Sequence, residues 1–80
     1  MNQIILSIIL LDGTELELKS TAGDIIKWET YFDLSVTDLN RTTHLLYLAW
    51  LAVKRENKTS LEFEAWADTV KEISVSDPKA

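Results

Sequence analysis

The sequence predicts an α+β fold, an N-terminal β-hairpin followed by three α-helices in the order ββααα. Two observations carry it. Apolar residues run from Ile4 to Leu11, Asp12-Gly13 interrupts them, and Leu16 and Leu18 then alternate with Glu15, Glu17 and Lys19; period-two patterning on both sides of an Asp-Gly turn is the mark of a hairpin. Beyond Thr21 the apolar spacing changes to three and four, the helical period.

Ile4, Leu6, Ile8 and Leu10 form one side of the first strand, and Ile5, Ile9 and Leu11 form the other. Whichever register the turn sets, one of these sides lies beside charged residues of the second strand. A two-stranded hairpin alone is marginal in water. Both faces of the first strand therefore call for cover, from this chain's helices on one side and from a second protein on the other.

Thr21-Ala22-Gly23-Asp24 is a capping box with Asp in place of Glu, and it opens a short helix whose stripe is Ile25, Trp28 and Phe32. The pattern ends near Asp33-Leu34-Ser35. Ser35, Thr37 and Asn40 are all candidate caps, which leaves the start of the second helix open. From Leu45 to Arg55 that helix is apolar nearly all round, the pattern of a buried central element. Trp50 falls with Leu46 and Val53, while Leu45, Leu48, Ala49 and Ala52 make a second face. Trp50 is then either core or interface. Lys54, Arg55 and Lys58 suit the negative end of the helix dipole, and Asn57 suits a left-handed terminator. Thr59-Ser60-Leu61-Glu62 reads as a second capping box, opening a third helix with Phe63, Trp66, Ala67, Val70 and Ile73 inward. Glu62, Glu64, Asp68, Lys71 and Glu72 face outward. Residues 1–73 make one domain and residues 74–80, with Pro78 and no periodicity, a flexible tail.

Composition narrows the function. Of 80 residues 46% are apolar, the net charge is −5, and Cys is absent. The absence of Cys removes disulfides, thiol nucleophiles and Cys-type zinc sites. An acid excess repels phosphate backbones, so nucleic acid is not the expected partner. The apolar start lacks the flanks of a signal peptide, and no stretch reaches the roughly 18 residues of a membrane span. His44 is the sole histidine. It has no metal-binding or triad spacing around it and reads as a capping or surface residue. No nucleophile and base, metal set or cofactor loop can be assembled, so neither catalysis nor a cofactor is expected. What remains is a binding protein with surplus apolar surface, for which the candidate contact residues are Ile4, Leu6, Ile8, Leu10, Leu46, Trp50 and Val53.

Leu48-Ala49-Trp50, Lys54-Arg55-Glu56, Leu61-Glu62-Phe63-Glu64-Ala65-Trp66 and Asp68-Thr69-Val70 follow one another in the second half of the chain. This succession resembles the small tail assembly chaperones of tailed bacteriophages, particularly those of actinobacterial hosts. The resemblance implies a noncatalytic protein in the cytoplasm of the infected bacterial host. Such a protein binds apolar helical segments of the tape measure protein, engages tail tube subunits and leaves before the virion is complete. It also implies short and longer frameshifted forms. Self-association into a homo-oligomer is expected from the surplus apolar surface. Two other roles fit the same composition: a permanent virion component such as a minor tail or head–tail connector subunit, and a small acidic inhibitor of a host protein.

Overall fold

The computed structural model describes residues 4–35 and 41–76. The α+β expectation holds: the described residues form a three-stranded antiparallel sheet and three helices in the order ββαααβ. Strands β1 (Ile5–Leu10) and β2 (Glu15–Lys19) form the hairpin. Helices α1 (Ala22–Phe32), α2 (Thr42–Arg55) and α3 (Phe63–Ala67) follow, and strand β3 (Val70–Ser76) returns to the far side of β1. The sheet order β2-β1-β3 makes the first strand the central one.

The hairpin register is set by a three-residue loop. The N–H of Leu10 donates to the Thr14 carbonyl at 2.8 Å, and that of Gly13 donates to the Leu10 carbonyl at 2.9 Å. Gly13 carries φ 92°, a conformation that side-chain-bearing residues rarely adopt. This loop places Leu6 opposite Leu18 and Ile8 opposite Leu16, with Ile5, Ser7 and Ile9 opposite Lys19, Glu17 and Glu15. The Leu6 and Ile8 face is thus the one the helices cover. Both side chains are fully buried in a cluster with Leu18, Trp28, Leu48, Ala49, Ala52, Val53 and Trp66.

The third helix is where expectation and structure part. It ends at Ala67 after five residues, and Val70 to Ser76, expected as helix and tail, are strand. Ile73 lies opposite Ile8 and Val75 opposite Leu6, in period-two fashion. Between Leu10↔Val70 and Ile9↔Glu72 the ladder carries a bulge. The extra residue stretches the spacing of Val70 and Ile73 from two to three, so a bulged strand imitates a helical stripe. Ser74 to Ser76 therefore belong to the sheet, and residues 77–80 lie outside the described residues. Thr59 does not cap α3. Its Oγ1 accepts from the Leu61 N–H at 3.1 Å, and the N-cap is Glu62 without a side-chain bond.

The earlier helices end as their sequences indicate. Thr21 accepts from the Asp24 N–H and Asp24 accepts from the Thr21 N–H, both at 3.1 Å, closing the capping box. Asn57, at φ 59°, ends α2, with its N–H on the Lys54 carbonyl and the Lys58 N–H on the Val53 carbonyl. These backbone bonds satisfy the last carbonyls of α2, and the basic side chains expected to cap it go elsewhere. Arg55 reaches back to α1, its Nε 3.1 Å from Asp24, and its Nη2 donates to the Lys19 carbonyl at 3.0 Å. One guanidinium thus joins β2, α1 and α2. Lys58 pairs with Glu56 at 3.1 Å.

α2 is the central element, in contact with α1, α3, β2 and β3. Ala49 and Ala52 on its buried face let its backbone come close to its neighbours. Trp28 is fully buried and donates from Nε1 to the His44 carbonyl at 2.9 Å. His44 is buried, not at the surface, with its ring against Trp28 and Phe32 and its Nδ1 without a hydrogen bond among the described residues. The candidate caps Thr37 and Asn40 lie outside the described residues.

Two substitutions test this frame. Gly13→Ala meets no neighbour within 4 Å, so its expected loss of about 1 kcal/mol in urea unfolding is purely conformational. A neutral result would show that the loop does not require its left-handed residue. Arg55→Ala leaves the buried Asp24 carboxylate without its cation and is expected to lower stability by about 2 kcal/mol. A change under about 0.5 kcal/mol, the range of ordinary surface substitutions, would show that the three-way link is idle.

Candidate protein-binding surface

An apolar groove of about 710 Å³ lies between the hairpin tip and the two connections that flank α3. Three pieces of chain build it. The hairpin supplies Leu10, Leu11 and Leu16, the α2–α3 connection supplies Leu61, and α3 with its exit supplies Trp66 and Thr69. The Leu11 N–H donates to the Thr69 carbonyl at 2.8 Å, which ties the hairpin tip to the α3–β3 junction. Thr69 in turn holds the end of α3, its Oγ1 donating to the Trp66 carbonyl at 2.6 Å.

The lining grades from dry to wet. Val53 and Trp66 are buried in the core, while Leu11 and Leu61 stand 67% and 41% exposed. Leu11 keeps most of its surface in water and Leu61 a substantial part, and covering what remains is favourable at about 25 cal/mol per Å². Asp12, Asp68 and Lys58 carry the charge among the lining residues, with Lys58 already paired to Glu56. The Thr14 hydroxyl and then the Thr14 N–H hold the Asp12 carboxyl below its ordinary 3.8, so it is ionised at neutral pH.

The residues proposed from sequence do not form one surface. Leu6 and Ile8 are core, so their side chains present no area to a partner in the folded chain, and Val53 is core at the base of the groove. Ile4, Leu10, Leu46 and Trp50 are half-buried and pack against that core. Leu10 and Val53 line the groove; Leu46 lies beside Ala67, Val70 and Ile73 in a separate shallow cavity of about 330 Å³. The strand face left uncovered by the helices is that of Ile5, Ser7 and Ile9, opposite to that of Leu6 and Ile8. Leu11, Leu16, Leu61 and Trp66 were missed. An unpaired leucine just before a turn, at Leu11, and another just before a helix start, at Leu61, were the available signals.

Trp50 lies in a second concavity, also of about 330 Å³, where all three helices meet. Tyr31 of α1 stacks on Tyr47 of α2 with centroids 4.2 Å apart, and Phe63 of α3 lies 5.1 Å from Tyr47 and 6.0 Å from Trp50. The Trp50 indole N–H donates to the Leu61 carbonyl at 3.0 Å, which fixes the ring against the chain entering α3. Among the described residues no group of three or more His, Cys, Asp or Glu is placed to hold a metal, and no helix is long and apolar enough to cross a membrane.

Burial, and secondarily the neighbouring Tyr31, push the Tyr47 phenol above its ordinary 10.0. The folded state therefore holds this proton more tightly than the unfolded chain. Its contribution to stability is complete below the unfolded value and is lost as pH rises through the folded one. In alkaline titration followed by phenolate absorbance, Tyr47→Phe is expected to remove a late step and to flatten the alkaline fall in stability. An unchanged late step would place it elsewhere. Comparison of the chain with family models, curated proteins and solved structures finds no match.

Proposed function

We propose that this protein is a noncatalytic chaperone of phage tail assembly that holds an apolar helical segment of the tape measure protein in the groove. The observation that carries the proposal is the groove itself, an apolar trough with exposed leucines on two of its walls and a buried tryptophan in its lining. Helix-in-groove recognition needs this arrangement, in which a hydrophobic trough takes anchors from one face of an amphipathic helix.

The link to tail assembly comes from the resemblance, and the position of several of its residues supports the reading. Leu61, Trp66, Asp68 and Thr69 of the L-E-F-E-x-W and D-T-V stretches all line the groove. Trp50 of the L-A-W stretch holds the chain that enters it, through the Leu61 carbonyl. In this role the protein works in the cytoplasm of the infected host, keeps tape measure segments from aggregating and hands them to tail tube subunits. The acidic surface serves the same end, because net charge of one sign keeps an apolar-loaded complex dispersed.

The test is coexpression with the tape measure protein of the same genome, followed by size-exclusion chromatography with light scattering. A soluble complex is expected. Leu11→Asp combined with Leu61→Asp should weaken it by at least about tenfold, because two exposed apolar anchors become charges facing an apolar partner. Both side chains project from the core, so urea stability should change by no more than about 0.5 kcal/mol per site. A closed oligomer of this chain that ignores the tape measure protein would overturn the proposal in favour of a structural virion subunit.

A further inference from the structure

The notch of Tyr31, Tyr47, Trp50 and Phe63 has features an apolar seat does not need. Glu62 and Glu64 complete its lining. Both are exposed, and among the described residues neither pairs with a cation. Tyr31, though its ring is stacked on Tyr47, is 62% exposed as a residue. Ring faces carry negative potential and so do the two carboxylates. An apolar group entering here would strip water from the glutamates and return nothing to them. A cation is attracted by every wall. The chain already shows the preference within itself, since Lys54 Nζ lies 5.7 Å from the Trp50 ring centroid.

We infer that this notch receives a basic side chain, arginine in preference to lysine, carried by the same partner segment that occupies the groove. A planar guanidinium stacks on an aromatic face while its edge pairs with a carboxylate, which an ammonium cannot do. About 330 Å³ is the lower end of ligand-site sizes and suits a side chain and not a length of backbone. The two sites adjoin, because Leu61 lines the groove and the next two residues, Glu62 and Phe63, line the notch. From Leu61 to Phe63 the chain spans at most about 7 Å, within reach of one long side chain. A second copy of this acidic chain, at net charge −5, is a poor occupant.

The inference rests on the proposed function for the partner's identity, so its test has two arms. In the first, N-acetyl-arginine methylamide is titrated into the protein and ring-proton shifts are followed by NMR. Shifts at Tyr31, Tyr47 and Phe63 are expected, and they should be lost in Glu62→Gln/Glu64→Gln. This arm needs no tape measure protein. In the second, tiled tape measure peptides are bound to wild type and to the same variant. The glutamine pair should weaken the best peptide by about tenfold and flatten its salt dependence, as removal of a charge-assisted contact does. Glu15→Gln/Glu17→Gln, which deletes equal charge on β2, should do neither, and replacing the peptide's arginines by glutamine should reproduce the first variant's loss. A best-binding peptide without basic residues, or equal losses from the two glutamine pairs, would overturn the inference and leave the groove reading standing. Arginine shifts with no peptide binding would overturn the tape measure assignment and keep the notch. No arginine shifts at all would refute the notch directly.

Discussion

Every layer of this molecule depends on how β1 is aligned with its two neighbours. Leu6 sits in a row with Leu18 and Val75, and Ile8 in a row with Leu16 and Ile73. These rows are the floor on which α2 lays Leu48, Ala49, Ala52 and Val53. A slip of one residue would replace them with rows containing Glu15, Glu17, Lys19 and Glu72 and would set carboxylates against the helices. The three-residue loop at Leu11 to Gly13 prevents the slip on one side. On the other, the bulge near Lys71 absorbs a residue that would otherwise invert β3 beyond it. Alignment also places the groove, because Leu11 projects at the tip only when Leu10 pairs with Thr14.

Legibility followed how local each determinant is. The capping box of α1, the run of α2 and the left-handed stop at Asn57 are written within a few adjacent residues, and all were readable. The register was not, because Asp12-Gly13 serves a two-residue and a three-residue loop equally well, and the two choices expose opposite faces of β1. The same ambiguity leaves Ile4, Leu6, Ile8 and Leu10 as candidate contact residues in the sequence although the helices cover Leu6 and Ile8. The last strand was hidden differently. Val70 and Ile73 are three apart, and only the pairing with β1 shows that a bulge and not a helix separates them. The candidate site was the least legible part, since Leu11 and Leu61 become neighbours of one groove through the Leu11–Thr69 backbone bond, a contact between distant parts of the chain.

Arg55 shows how one residue can be read correctly in type and wrongly in role. Its place at the end of α2 suggested that it complements the helix dipole. The backbone bonds around Asn57 already satisfy those carbonyls, so the guanidinium is free to span to Asp24 and to the end of β2. Three elements are joined there by directional bonds, which fix orientation in a way that apolar packing alone does not.

The pairing of β1 with β3 has a temporal side. Synthesis makes β1 first among the strands and β3 last, yet β1 is the middle strand. While the chain is being made, the edge of β1 that will receive β3 stays unpaired, and contacts of such long sequence separation form slowly. An unpaired apolar strand edge is a template for pairing with other chains. The sheet therefore closes only once β3 itself has left the ribosome, and fragments cut short before Val70 would be aggregation-prone.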